Sequence, residues 1–250
     1  SSTMMMMMMM MMMMMVMMIL RNLDLLTQEP SAFILFMILL LTALTVSFTI
    51  HEFSHALVAT SLGDHTAERL GRLSLNPRAH LDPAGSLMVL LAGFGWGKPV
   101  PVNPRAFGAA NALRYMMLVA IAGPLANFIV ALSIGLFFKI GLLSGPPQLS
   151  VLVLLPLNSS ISDVIGQFFA IALILNLTLG LFNLIPIAPL DGSKVALGLL
   201  PKNMAYRLAR FEHYGPRILM GIIMLDIFGN TGIIAGVIDV PMNFFEKAIQ

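Results

Sequence analysis

The sequence predicts an all-α polytopic membrane protein, and three observations lead there. Hydrophobic residues make up 58% of the chain and charged ones 10%, against roughly 25% charged in an ordinary soluble domain. A soluble fold of 250 residues could not hide so much apolar surface, and a disordered chain would need far more charge. The apolar residues are also gathered into runs of spanning length, since about 20 helical residues at 1.5 Å each cross the hydrocarbon of a bilayer. Cysteine is absent, so no disulfide, thiolate metal site or cysteine nucleophile is possible.

Met4 to Met15 is an unbroken methionine run. It lacks the basic region and small-residue cleavage site of a signal peptide, and no function is read from it. Ser31 to Ile50 carries no charge and is the first span. Pro30 suits a helix start, and the helical pattern runs on through His51 to Leu62, ending at Gly63, a C′ residue by type. A polar, Arg-containing loop, 64–82, follows. Pro83 to Phe94 is apolar but short, which predicts a re-entrant segment rather than a span. Gly95 to Pro104 is too rich in Pro and Gly for a helix and reads as extended, with an edge that an unwound peptide could join.

Tyr115 to Phe138 is the second long span, flanked by Arg114 and Lys139. Gly141 to Asp163 is a connector. Ile165 to Ile185 is the third span, ended by Pro186 and Pro189. Asp191 to Arg217 is a basic surface segment with a short amphipathic helix around Lys202 to Glu212. Ile218 to Ile238 is a last span and carries Asp226. The chain thus divides into a Met-rich N-terminal segment (1–30), a membrane-embedded core (31–217) and a C-terminal helix with its tail (218–250).

Lys and Arg placement sets the orientation. Eleven of the 14 basic residues fall in two stretches, 63–114 and 191–217. With 83–94 re-entrant, both stretches lie on one side, which the positive-inside rule makes cytoplasmic. The net charge of +2 is no nucleic-acid footprint, so the partner implied by composition is the lipid bilayer. Nothing in the pattern speaks to oligomeric state.

His51-Glu52-Phe53-Ser54-His55 has the form His-Glu-x-x-His. Residues four apart on a helix project from one face, so both imidazoles can bind one zinc ion. Glu52 is placed to act as general base on a water there. Ionisable groups inside a span are costly and by default functional. A catalytic zinc takes three protein ligands, and the residues alone leave the third open. The candidates are His65, His80, His213, Glu212, Asp226 and Asp191, the last following two helix-breaking prolines.

The chain resembles the site-2 protease family of intramembrane zinc metalloproteases. The elements that carry the resemblance are His51-Glu52-Phe53-Ser54-His55 on the first span, Gly123-Pro124-Leu125-Ala126-Asn127 on the next, and Phe182-Asn183-Leu184-Ile185-Pro186 with Pro189-Leu190-Asp191-Gly192 after the third. They cover about residues 31–200. The resemblance is to the short form: neither an inserted PDZ-like domain nor a cystathionine-synthase-like (CBS) pair is read in the sequence. It implies a core of three transmembrane helices in a prokaryotic cell membrane. It further implies zinc held by His51, His55 and Asp191, with Glu52 as base and Asn127 as a polar residue that positions or polarises the substrate. The implied substrate is a transmembrane segment of another protein.

Two other readings compete. One is a non-proteolytic scaffold or chaperone that keeps the protease fold, which a degraded motif would favour. The other is a zinc or proton transporter, which internal repeats would favour. The motif is intact and no repeat is present.

Overall fold

The computed structural model describes residues 29–82, 84, 98–144, 159–229, 231–232, 236 and 247. The Met run, nearly all of the expected re-entrant segment, Gly95 to Gly97 and the middle of the connector lie outside them. Three of the described helices are long and apolar enough to cross a membrane. The chain is an integral membrane protein with an all-α core.

Helix α1 (Pro30–Ser61) has Pro at its first turn, where the missing N–H costs nothing. It ends in a Schellman pair at Gly63: the Gly63 N–H reaches the Thr60 carbonyl at 3.0 Å and the Asp64 N–H reaches that of Ala59 at 2.9 Å. Thr42, Ser47, Thr49 and Ser54 each donate their hydroxyl to the carbonyl four residues back. These hydroxyls therefore need no water, which suits a helix in lipid. A single short turn, α2 (Thr66–Arg69), follows.

Helix α3 (Gly108–Lys139) begins well before the expected Tyr115, and Arg114 lies inside it rather than flanking it. Apolarity marks the part of a helix in lipid, whereas capping and turn chemistry mark its end. Here Asn103 accepts the Arg105 N–H in a 3-10 turn, Pro104–Phe107, that leads directly into α3. Helix α4 (Ile161–Asn183) also starts early, at a capping box in which Ser160 and Asp163 exchange side-chain-to-backbone hydrogen bonds. After a turn with a cis Ala188–Pro189 bond come α5 (Asp191–Leu199), α6 (Lys202–Ala209) and α7 (Gly215–Gly229). The expected last span overlaps α7, and most of it beyond Gly229 is outside the described residues.

Helix α3 packs against α1, α4 and α5, and α1 also packs against α4. The layers along these spans are distinct. Phe36, Leu40, Ala43 and Leu44 of α1 meet Ala131, Ile134 and Phe138 of α3 and residues 171–175 of α4 in one apolar core. One step further along all three helices sits a buried polar layer of Ser47, Asn127 and Asn176. Beyond it lie His51 and His55. Ile34, Ile38, Ile129, Leu132 and Leu136 point outward, as a lipid-facing surface requires.

The spans alternate in direction. Asp64, just after α1, accepts the Asn103 N–H, just before α3, at 2.6 Å. Ser144, after α3, bonds to Ser162 at the start of α4. The basic stretches 63–114 and 191–217 therefore share one end of the bundle. On that end α6 exposes Met204 and Tyr206, and Phe211 is exposed just beyond it.

Candidate metal centre

His51 and His55 lie one turn apart on α1 and both are buried. Their rings meet edge to face, with centroids 4.6 Å apart. The two Nε2 atoms are 3.0 Å from each other, and each is 3.2 Å from Asp191 Oδ2. Asp191 opens α5, so the break after α4 carries its carboxylate back under the α1 imidazoles. Gly192 makes that return possible, because a Cβ there would run into the Leu184 and Ile185 carbonyls. Gly123 of α3 likewise lets α1 approach: a Cβ there would sit 2.5 Å from His55 Nε2 and 2.6 Å from His51 Cε1.

The protonation of both rings follows from what the other nitrogen meets. His51 Nδ1 lies 2.6 Å from Asn127 Oδ1, and His55 Nδ1 lies 2.7 Å from the Val119 carbonyl. Both partners are acceptors, so both Nδ1 atoms carry the proton and both Nε2 atoms present lone pairs. The Asn127 amide is oriented by its own donors, since Nδ2 gives to Asn176 Oδ1 at 2.7 Å and to the Ser47 carbonyl at 3.3 Å. Asn176 in turn donates to Ser47 Oγ at 2.7 Å and to the Ala172 carbonyl at 2.8 Å.

Two lone pairs and a carboxylate oxygen thus converge with no hydrogen to share, and Asp191 Oδ2 is buried without a hydrogen-bond partner. With both rings neutral, these three donors are satisfied together by a cation. Tetrahedral zinc with bonds of about 2.0–2.2 Å sets donor-to-donor edges of roughly 3.3–3.6 Å, close to the 3.0–3.2 Å found. The residues fit zinc.

Glu52 is buried beside this cluster, and its Oε2 accepts the Val100 N–H at 3.0 Å. Val100 belongs to the expected extended stretch, of which 98–104 is described, with Pro104 already in the 3-10 turn. That strap is pinned at three points: the Lys98 N–H reaches the His80 carbonyl at 2.6 Å, Val100 reaches Glu52, and Asn103 reaches Asp64. Pro99 and Pro101 lie between, and neither has an N–H to offer an added strand. Burial alone would push the Asp64 carboxyl up. Hydrogen bonds from the Thr66 hydroxyl, the Asn103 N–H and the Thr66 N–H, with Arg69 nearby, outweigh that and hold it below the usual carboxylate range.

A cavity of about 70 Å³ opens onto the cluster, bordered by Glu52, His55, Val100, Asn183, Asp191 and Lys194. It holds a few waters, not a helix. Asn183 Oδ1 is buried there without a partner, while its Nδ2 donates to the Leu179 carbonyl at 2.9 Å. The other candidate ligands lie elsewhere. His65 is exposed and pairs with Glu68 at 2.7 Å, His80 Nε2 donates to the Ser74 carbonyl at 2.7 Å, and His213 stacks on Tyr214. Glu212 stands in the same turn as His213, and the Asp226 side chain is outside the described set. Among the described residues, His51, His55 and Asp191 are the group that could hold a metal ion.

Residues 39–225 match the model of peptidase family M50. The chain belongs to this family. This M50 peptidase is a zinc-dependent metalloprotease of the intramembrane type, as the resemblance to site-2 proteases implied. It is 43% identical over 176 residues to the protein named "Putative zinc metalloprotease YwhC" of Bacillus subtilis, covering 70% of this chain and 75% of that protein. It is 32% identical over 170 residues to "Putative zinc metalloprotease Rip2" of Mycobacterium tuberculosis, covering 66% of this chain and 59% of that one. No solved structure matches. The scaffold and transporter readings gain no support from these relatives.

Sequence reasoning missed four contributors to the site: Ser47, Asn176, the Val119 carbonyl and the Val100 N–H. Two of these are backbone groups, which leave no mark in residue identity. An amide and a hydroxyl inside apolar spans were the signal available for Asn176 and Ser47.

Proposed function

We propose that His51, His55 and Asp191 hold the single zinc ion of this peptidase and that Glu52 is its general base. The substrate proposed is a membrane-spanning segment of another protein, cut on the cytoplasmic side of a prokaryotic plasma membrane. The observation that carries the proposal is the meeting of two Nε2 lone pairs and an orphaned carboxylate oxygen within 3.2 Å of one another. The shared end of the two basic stretches supports the cytoplasmic orientation. The proposed catalytic core runs from 31 to 217, with 218–250 as its C-terminal helix and tail.

Zinc held there would supply Lewis acidity, enough to bring the pKa of an attacking water to about 7. The chain's own residues do the rest. Val100 occupies Glu52 Oε2, which leaves Oε1 to take the proton from that water as its oxygen bonds to the peptide carbon. When the C–N bond breaks, Glu52 returns the proton to the leaving nitrogen. Asn127, held by Asn176 and Ser47, fixes the His51 ring rather than facing the cavity. The unpartnered Asn183 Oδ1 is placed to accept a peptide N–H. A helical segment hides its carbonyls in its own hydrogen bonds, so the substrate must unwind to fit so narrow a cavity.

Purified Glu52→Gln should retain zinc and fail to cut a membrane-tethered reporter that the parent protein cuts. Cleavage by the variant refutes Glu52 as the base.

A further inference from the structure

Lys194 stands one turn after Asp191 on α5, half-buried, and borders the cavity together with Glu52, His55 and Asp191. It forms no ion pair among the described residues. The one carboxylate on its own helix is directed at the histidines, and Glu52 Oε2 is taken by the Val100 N–H. Lys194 is the sole Lys or Arg among the described residues that line this cavity. A cation beside a narrow cavity, with no ion-pair partner among the described residues, is poised for a negative charge that arrives later.

The reaction creates such a charge twice: on the scissile carbonyl oxygen as water adds, and on the carboxylate of the new C-terminus. As Glu52 takes the proton of the attacking water, its negative charge passes to the peptide oxygen, and a cation already beside the cavity is placed to meet it there. Asn127 cannot supply this contact, because it is fully buried and its amide is spent on His51, Asn176 and the Ser47 carbonyl. We propose that Lys194 is a catalytic residue of this peptidase, whose ammonium binds the developing oxyanion of the scissile carbonyl and then the product carboxylate. The proposal rests on the zinc-peptidase reading above.

The test uses the full chain in proteoliposomes with the membrane-tethered reporter, alongside Lys194→Met, Lys194→Arg and Glu52→Gln. Lys194→Met keeps the stem and removes the charge. It should retain zinc and KM while kcat falls about 100-fold, the cost of one oxyanion contact. Lys194→Arg should recover most of the loss. A synthetic peptide matching the N-terminal fragment, made as the free acid and as the carboxamide, reads the product contact. The free acid should bind Lys194→Met about tenfold more weakly than it binds the parent, and the carboxamide equally to both.

Parental kcat in Lys194→Met overturns the proposal. So does a loss of activity explained by lost zinc, or by a variant that does not fold when Lys194→Arg is equally inactive. A parent chain that binds no zinc, or an active Glu52→Gln, overturns the peptidase reading instead, and the two failures are told apart by those controls.

Discussion

His51 Nδ1 donates to Asn127 Oδ1 across 2.6 Å, joining α1 to α3 inside the membrane and leaving His51 Nε2 as a lone pair facing Asp191. The bond is directional only because Asn176 and the Ser47 carbonyl accept from the Asn127 amide on its other side. Asn127→Ala should therefore lower zinc affinity by about 10- to 100-fold, the usual cost of losing the partner of a ligating histidine. Asn176→Leu should lower it less, since Asn127 then loses its orientation but not its oxygen. Competition with a zinc-responsive dye measures both, and an unchanged affinity in Asn127→Ala would show that the bond does not position the ring.

Gly123→Ala should be far more harmful than an alanine elsewhere on α3. Its methyl would press on both imidazoles, so α1 and α3 must part or the rings must turn. Overpacking of this kind costs roughly 1–3 kcal/mol, and the purified variant should carry less than half of the parental zinc. Full zinc content at parental stability would contradict the close approach.

Val100→Pro removes the N–H that Glu52 Oε2 accepts, in a helix-free segment already flanked by Pro99 and Pro101. Glu52 Oε2 then loses its donor and the carboxylate is free to turn. Misplacement of a catalytic group by about 1 Å costs on the order of 100-fold. The expected result is kcat reduced between tenfold and 100-fold with zinc retained. A parental kcat would mean that the strap does not hold the base.

Asp64→Asn probes the anchor of the same strap, and its effect depends on pH. The Asp64 carboxyl is held below the usual carboxylate range in the folded protein, so its contribution is fully present above the unfolded value of about 3.9 and is lost as pH falls through the lower folded value. The parent should be more stable than Asp64→Asn by about 2 kcal/mol at pH 7, the scale of a hydrogen bond to a charged group. The gap should close below about pH 4. Thermal unfolding in detergent across that range measures it, and a gap that widens on acidification reverses the sign.

Much of the fold was legible because membrane insertion writes itself in composition. The spans at 31–50, 115–138 and 165–185 were placed by their lack of charge, and their cores lie where expected. Two of their starts do not: α3 begins at Gly108 and α4 at Ile161, because the 3-10 turn capped by Asn103 and the capping box at Ser160 set the helix start, not the lipid boundary. The His-Glu-x-x-His pair was legible for a local reason, since the 3.6-residue period alone places His51 and His55 on one face.

What the sequence by itself determined, then, was the solvent of the protein, the apolar lengths of its spans, and the two imidazoles with a glutamate beside them. All of these follow from neighbours within a few turns of one helix. The tertiary structure decided which distant carboxylate meets the histidines, which ring nitrogen of each carries the proton, and which oxygen of Glu52 stays free. Those outcomes depend on Asp191, Asn127, Val119 and Val100 arriving from other elements. Their arrival is set by how closely the helices pack at Gly123 and Gly192, which no local period encodes.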